Sequence, residues 1–317
     1  MRIIYGSPPT NEPSGGVKVI YRHAELLRNL GIDAYVWLPG DQDFICDWFD
    51  HRAAVIRTGD LSPGTDFLIV PEIWATGYVR VLKSMGFRVG IFVQNAYLTH
   101  VNLDPGNSNG IRDAYFSADL VFSISTDTSR YLSEILLVPA SKLIELRYSV
   151  DRTLFYPAMK LPLITYMPRK MGEHSGRVVS IISGLLPSNW EIRALDRLSE
   201  RAVASALSRS ILFLAFSEFE GLPVPPVEAA LAGNIVIGYH GQGGREYWTS
   251  PNFVEIQQGD IQRFVFEVLD KVVEVSSGQL NLGELNSGIN FLAASFSVER
   301  ERSMLMRMVE AISALTK

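Results

Sequence analysis

Runs of apolar residues with the length of β-strands alternate with segments of helical periodicity along the whole chain. Near the N-terminus, the strand-like run 2–5 leads into a loop rich in glycine and proline, and apolar residues then recur at helical spacing from Val17 to Leu30. Another strand-like run follows at 32–39. A strand, a helix and a strand in this order form a βαβ unit, whose two strands lie parallel. The alternation therefore predicts an α/β fold with parallel sheets.

The alternation begins a second time near residue 161, within the connecting segment 147–162. A chain of 317 residues is also longer than one hydrophobic core usually covers. We therefore expect two doubly wound, Rossmann-like domains that face a central cleft, with 1–158 as the first and 159–295 as the second. Residues 296–317 are predicted to form a helix that packs back across the domains.

Within the second half, the apolar run 177–183 is predicted to be a strand and 189–210 is predicted to be helical, with a break. The run 211–216 is a further strand. Parallel α/β sheets bind ligands in the loops that leave the carboxyl ends of their strands. The loop that follows 211–216 is therefore a predicted position for a site.

Composition and charge argue against several classes of protein. The formal net charge is −5, whereas a protein that grips a nucleic-acid backbone over a large face is usually basic. The single cysteine, Cys46, cannot build a disulfide framework or a cysteine-based metal site, which favours a reducing, cytoplasmic setting. The N-terminal residues lack the apolar core of a signal peptide, and the longest apolar runs are too short to span a bilayer. A peripheral contact with a membrane stays open.

Two glutamates lie in the loop after the predicted strand 211–216 and in the helix that follows this loop. They are Glu220 and Glu228, with seven residues between them. The N–H groups around Gly221, Leu222 and Val227 are expected to face an anion such as a phosphate, since a helix N-terminus favours negative charge. Glycine also lets the backbone approach a ligand closely. A carboxylate beside such a site, as Glu228 is, can accept two hydrogen bonds from the diol of a ribose. The loop is therefore predicted to bind a nucleotide, with Glu220 facing a different part of the ligand.

The string 217–233 resembles the donor-binding signature of the retaining E-x7-E glycosyltransferases of the GT-B fold, the group 1 or family 4 type. The matching residues are Ser217, Glu220, Gly221, Leu222, Pro223, Glu228, Ala229, Ala232 and Gly233. Other segments that are similar to motifs of that family are the glycine turn 241–248 with Gly243 and Gly244, the glycine loop and helix 13–37 with Gly15 and Gly16, the strand 117–126, and the interdomain segment 149–157. The resemblance thus spans nearly the whole chain.

The resemblance implies an enzyme that moves a sugar from a nucleotide-diphosphate sugar to a glycan, lipid or small-molecule acceptor. It implies retention of the anomeric configuration and no metal or other cofactor. Arg169 and Lys170 would stabilise the leaving diphosphate, and Glu220 would meet the transferred sugar. These three are the predicted catalytic residues. The predicted binding residues are Glu228, Gly221, Leu222, Pro223, Gly15, Gly16, Gln94 and Asn95.

Two departures from the family pattern leave alternatives open. The family's spacing of arginine and lysine, with a glycine after the lysine, is absent from 165–170. Gln94 and Asn95 stand where the family often has a histidine, and His100 lies further along. An amide can bind a sugar hydroxyl but cannot act as a general base. A non-catalytic nucleotide-sugar-binding protein and a sugar-nucleotide epimerase of the same fold are therefore the alternative functions.

A metal site is not expected from the sequence. Asp41–Asp43 has the Asp-x-Asp form of metal-dependent glycosyltransferases of another fold, but the rest of that architecture is missing, so a solvated turn is predicted. The donor sugar, the nucleotide base and the acceptor are not specified by these motifs.

Overall fold

The computed structural model describes residues 1–40, 43–100 and 108–315, which form two compact units. The first unit combines Met1–Tyr148 with Glu299–Lys317, as far as these are described, and the second unit is Ser149–Val298. Each unit holds one parallel β-sheet with helices packed on it. The predicted α/β class with two Rossmann-like units is therefore confirmed.

The strands are short and mostly buried, as apolar runs in parallel sheets usually are. Those of the first unit are β1 (Arg2–Gly6), β2 (Ala34–Trp37), β3 (Val55–Ile56), β4 (Asp66–Pro71), β5 (Arg88–Val93), β6 (Leu120–Ser123) and β7 (Leu143–Glu145). Those of the second unit are β8 (Leu163–Tyr166), β9 (Glu191–Ala194), β10 (Leu212–Glu220), β11 (Ile235–Gln242) and β12 (Phe253–Glu255).

The helices are amphipathic and several have a polar side chain at their N-cap. Their bounds are α1 (Gly15–Asn29), α2 (Ala75–Ser84), α3 (Ser108–Ser117), α4 (Thr126–Glu134), α5 (Gly172–Ser183), α6 (Glu200–Arg209), α7 (Val224–Leu231), α8 (Ile261–Ser276), α9 (Leu282–Ser295) and α10 (Val298–Ala314). Ser14, Ser125, Ser199 and Asp260 cap α1, α4, α6 and α8 through their side-chain oxygens. Among the described residues, no helix is long and apolar enough to cross a membrane.

The sheet of the first unit has the order β3-β2-β1-β4-β5-β6-β7, and its neighbouring strands are all parallel. The strand order reverses between β1 and β4, which makes their carboxyl ends a topological switch point. The end of the chain completes this unit. The Tyr5 hydroxyl of β1 lies 3.4 Å from the Met308 sulfur of α10, and Arg22 Nε of α1 donates to Glu301 at 2.9 Å.

The sheet of the second unit has the order β12-β11-β10-β8-β9 and is also parallel throughout. Helix α5 contacts α8, whereas α7 contacts α6 and α9, so helices cover both faces. The strand order reverses between β8 and β10. Their carboxyl ends form the switch point of this unit, the crevice in which open α/β sheets bind ligands.

Two predictions for the second unit were wrong. Residues 177–183 lie in α5 rather than in a strand, because Ser175, Val178 and Ile182 recur at helical spacing and bury one face of the helix. Residues 191–194 lie in β9 rather than in a helix, because they pair with β8 at the edge of the sheet, with Glu191 opposite Leu163.

Residues 149–158, which the sequence assigns to the first domain, group with the second unit. Their contacts explain this grouping. Arg152 Nη1 donates to the Leu231 carbonyl at 2.6 Å, and the Ala158 N–H donates to the Ser208 carbonyl at 3.1 Å. Both acceptors lie at the C-terminal ends of helices of the second unit, α7 and α6.

Candidate functional site

A small pocket with a volume of about 10 Å³, enough for about one water molecule, lies at the switch point of the second unit. It is lined by residues that follow β8 and by residues that end β10, together with the first turn of α7. These are Met167, Lys170, Ser217, Glu220, Pro225 and Pro226, with the buried run Phe213–Phe216 behind them. The position agrees with the sequence-based expectation that the loop after β10 carries a site.

An ion pair joins the two charged residues of this pocket. The Lys170 ammonium donates to Oε1 of Glu220, and both side chains are partly exposed. The chain reaches this position through a turn in which the Lys170 N–H donates to the Met167 carbonyl at 3.2 Å. Two predicted catalytic residues, separated by 50 positions in the sequence, are therefore in contact.

The residue after the lysine has the backbone conformation that favours glycine. Met171 caps α5 with φ 48° and ψ 52°, in the left-handed region. An L-residue with a side chain is strained there by roughly 1–2 kcal/mol relative to right-handed conformations. The resemblance leads one to expect a glycine after the lysine, and the turn retains the conformation of a glycine although the residue is methionine.

Arg169 is placed differently from its neighbour Lys170. Its side chain is exposed, it does not line the pocket, and no hydrogen bond or ion pair links it to another described residue. Of the two predicted cations, the structure brings only Lys170 to Glu220.

The N-terminus of α7 offers fewer hydrogen-bond donors than the sequence suggests. Pro223 is its N-cap, and Pro225 and Pro226 occupy its second and third positions, so Val224 carries the only N–H group among these four residues. Val227 is completely buried and lies beyond the first turn, where N–H groups bond within the helix. Proline suits the start of a helix because its backbone nitrogen has no hydrogen to satisfy. An anion at this end would depend more strongly on a cationic side chain.

The glycine turn after β11 supports the loop that follows β10. A β-carbon on Gly243 would lie 1.8 Å from the Gly221 carbonyl oxygen, so only glycine fits there. Tyr247 donates its hydroxyl hydrogen to the Pro223 carbonyl at 2.8 Å. Gln242, the last residue of β11, has φ 70° and ψ −71°, the conformation of a strained γ-turn. Sequence reasoning did not identify Tyr247 as support for the loop at Pro223, although it lies within the glycine motif.

Glu228 lies in the second turn of α7 and is half-buried. It is not among the residues that line the pocket with Lys170 and Glu220. The two glutamates of the motif therefore occupy different surroundings, and their separate roles stay predictions.

The predicted binding residues of the first unit lie at the start of α1 and directly after β5. Gly15 and Gly16 are the first two residues of α1. Gln94 Nε2 donates to the Gly16 carbonyl at 3.1 Å, and a β-carbon on Gly16 would lie 3.3 Å from that nitrogen. Asn95 Oδ1 accepts the Tyr97 N–H at 3.1 Å. His100 is exposed at the end of the short helical turn Ala96–His100.

A buried carboxylate that the sequence analysis missed holds this loop. Glu72 is 7% exposed and follows β4 directly at the switch point of the first unit. Its carboxylate accepts the N–H groups of Asn95 at 3.0 Å and Gln94 at 3.3 Å. Burial raises the pKa of Glu72 to about 7, and the backbone hydrogen bonds lower it only in part. An acidic residue directly after a buried strand was the signal that could have found it.

Within the described part of the chain, no group of three or more histidine, cysteine, aspartate or glutamate side chains could hold a metal ion. Asp41 of the Asp-x-Asp sequence lies outside the described residues.

The chain has relatives both in sequence and in fold. No family model matches it. A curated relative, the alpha-1,6-glucosyltransferase of Actinobacillus pleuropneumoniae serotype 7 (strain AP76), is 24% identical over 311 residues, which cover 94% of this chain and 92% of the relative.

The solved structures extend the likeness over the whole chain. Sucrose-phosphate synthase from Thermosynechococcus elongatus superposes with a TM-score of 0.73 at 14% identity and covers 99% of this chain and 98% of its own. HepE from Anabaena, solved in complex with UDP, has the same TM-score at 11% identity. The superposition covers 99% of this chain and 100% of HepE. The lipopolysaccharide outer core galactosyltransferase WaaB reaches 0.69 at 15% identity, with 99% of both chains covered. The chain has the GT-B glycosyltransferase fold. In that fold, the pocket of Lys170 and Glu220 belongs to the C-terminal α/β unit.

Proposed function

We propose that the chain is a retaining glycosyltransferase that moves a sugar from a nucleotide-diphosphate sugar to a glycan, lipid or small-molecule acceptor without a metal ion. The observation that carries the proposal is the pocket at the switch point of the second unit. The pocket combines Lys170 and Glu220 with the loop at Gly221, whose backbone lies close to the turn at Gly243.

The roles proposed for the pocket follow from charge. Lys170 would bind the leaving diphosphate, whose charge grows as the bond to the sugar breaks. Glu220 would accept hydrogen bonds from hydroxyls of the transferred sugar, and Glu228 from the ribose. Arg169 is exposed and close in sequence, so it would add a second positive charge to the diphosphate once a donor is bound.

The name of the curated relative suggests the first donor to test. That relative is an alpha-1,6-glucosyltransferase. An α-linked product made from an α-linked nucleotide-glucose is the outcome of retention, in agreement with the proposed stereochemistry. We therefore propose glucose as the sugar.

Retention can proceed here without a general base from the protein. Gln94 and Asn95 carry amides, which do not take up a proton at neutral pH, and the Gln94 amide is bound to the Gly16 carbonyl. We propose that the departing phosphate oxygen accepts the proton of the acceptor hydroxyl on the same face of the sugar. The two amides would then position the acceptor or the sugar.

The test is an incubation of the full chain with UDP-, ADP- and GDP-sugars and a panel of glucose-containing acceptors, in buffer with EDTA. Release of nucleoside diphosphate measures turnover, and NMR of the product gives its anomeric configuration. We expect transfer with retention, and loss of most turnover in Glu228→Ala but not in the exposed control Glu218→Ala.

An inverted product, a strict need for a divalent cation, or full turnover in Glu228→Ala would contradict the proposal. Binding of nucleotide sugars without turnover across the panel would favour the non-catalytic alternative. An epimerised sugar released without an acceptor would favour the epimerase.

A further inference from the structure

The ion pair of the pocket presents a conflict for an incoming diphosphate. Lys170 is the only cation that lines the described pocket, and its ammonium is already bound to Glu220. A diphosphate that took Lys170 as its partner would stand beside the Glu220 carboxylate, and like charges at such a distance repel. The Lys170 ammonium has three N–H donors, so it can reach a phosphate while it stays bound to Glu220, but the diphosphate gains the full attraction of the lysine only when the pair separates.

The surroundings leave the diphosphate few other partners. Three of the four residues from Pro223 to Pro226 have no N–H group, which weakens the helix end as an anion site. Arg169 is exposed outside the pocket lining. The affinity for a phosphate group at this pocket consequently depends in large part on whether Lys170 is released by Glu220, with Arg169 as a weaker, more exposed contributor.

We propose that the Lys170–Glu220 ion pair is a latch that makes this site favour the sugar-carrying donor over the free nucleoside diphosphate, an inference that rests on the proposed function. When a nucleotide sugar binds, Lys170 turns to the diphosphate and sugar hydroxyls donate to the freed Glu220. When the sugar has left, Glu220 faces only phosphate. The ion pair then re-forms and helps to expel the product.

The free product also carries more negative charge than the donor. Its terminal phosphate ionises a second time with a pKa of about 6, whereas the phosphate that is esterified to the sugar cannot. The repulsion from Glu220 is thus larger for the product than for the donor. Because of this difference, Glu220 disfavours the bound product more than the bound donor.

The experiment compares Glu220→Gln with the wild-type chain by isothermal titration calorimetry against UDP, ADP and GDP and against UDP-, ADP- and GDP-glucose. The glutamine keeps the size of the side chain and removes its charge. We expect the Kd for the preferred nucleoside diphosphate to fall about threefold to fivefold, the upper part of the range for a partly exposed ion pair. The Kd for the matching nucleotide sugar should stay the same or rise.

Glu218→Gln is the matched control, because Glu218 is an exposed carboxylate in the same strand and lines no part of the pocket. It should change neither Kd by more than about twofold. Circular dichroism of each variant checks that the fold is intact.

Three results would overturn the latch. They are equal or weaker binding of nucleoside diphosphates by Glu220→Gln, equal gains for diphosphate and nucleotide sugar, or the same gain in Glu218→Gln. If the wild-type chain and all variants bind none of the six nucleotides, the proposed function fails as well. If the wild-type chain binds them and Glu220→Gln matches it, only the latch fails.

Discussion

Arg169 and Lys170, two adjacent residues that follow β8, differ in their contacts. Lys170 is paired with Glu220, whereas its neighbour Arg169 is exposed and points to no described partner. The two cations have similar stems and the same charge. A comparison of the two residues therefore separates the effect of a cation's position on nucleotide binding from the effect of the net charge.

Replacing these two cations one at a time should therefore give unequal losses. We expect Lys170→Met to raise the Kd for the preferred nucleotide sugar at least about tenfold, and Arg169→Met to raise it about twofold to fourfold, because a phosphate bound at the mouth of the pocket gains more from the cation in the pocket wall. Calorimetry on both variants measures the difference. Equal losses would show that only the summed charge matters.

Gly243 is the residue with the least space around it in the site. Its missing β-carbon allows the turn to lie against the Gly221 carbonyl at a distance that no side chain permits. The motif 241–248 is therefore constrained by the backbone of the neighbouring loop.

Gly243→Ala should lower the free energy of unfolding by about 2 kcal/mol or more, because the methyl group forces the two loops apart. Gly176→Ala is the matched control. It adds the same methyl group in α5 of the same unit, where nothing lies within 4 Å, and should stabilise the chain by about 0.5–1 kcal/mol. Urea unfolding of both variants measures the two changes, and a stability loss of similar size in each would contradict the structure.

Among the elements, the end of β4 and the loop after β5 are joined by Glu72. The carboxylate is buried and no described cation pairs with it, so it binds backbone N–H groups instead. Ionising such a group costs free energy. Perturbed carboxyl groups of this kind cluster at functional sites, and Glu72 lies beside Gln94 and Asn95.

The stability of the chain should therefore depend on Glu72 and on pH. The pKa of Glu72 is about 7 in the folded state, against an ordinary value of 4.5. Between these two pH values the folded state binds more protons than the unfolded state. The free energy of unfolding therefore falls as the pH rises from 4.5 to 7. The full loss amounts to roughly 3 kcal/mol. Glu72→Gln should flatten this part of the pH profile of urea unfolding, whereas the exposed control Glu12→Gln should leave it unchanged. An unaltered profile in Glu72→Gln would show that Glu72 does not titrate there.

Helices and strands were predicted correctly where the local apolar pattern fits only one of the two. They were predicted wrongly where contacts with distant segments select between them. The helix at 15–29 and the strand at 2–6 follow from apolar periodicity and a glycine-rich loop. The run 177–183 has an apolar pattern that fits either a strand or a helix. Its contact with α8 selects the helix, and the pairing of 191–194 with β8 selects the strand. Such choices depend on neighbours that are distant in the sequence.

At the scale of the whole molecule, the chain crosses from the second unit back to the first in α10. Met304, Leu305 and Met308 of this helix are buried, and Glu301 is buried against Arg22 and His23 of α1. The first unit is therefore completed only by the last residues of the sequence.

Met308→Asp should unfold or loosen the first unit and leave the second intact, because it places a charge against the Tyr5 hydroxyl in the core of the first unit. Hydrogen exchange followed by mass spectrometry would show faster exchange in β1 and α1, and unchanged exchange in β10 and β11. Ser303→Asp places the same charge on the exposed face of α10 and should change neither. Equal loss of protection in both units would mean that they unfold together.

The sequence by itself determined the class of fold and the residues of the motif from Ser217 to Gly233, because strand and helix periodicities and turn residues act over short stretches of chain. The tertiary structure decided which of these residues meet. Reversal of strand order between β8 and β10 brings Lys170 to Glu220 across 50 positions, burial places Glu72 beneath Gln94 and Asn95, and close packing makes Gly243 indispensable to the loop at Gly221. Each of these contacts joins segments that no local pattern connects, so only the folded chain could select them.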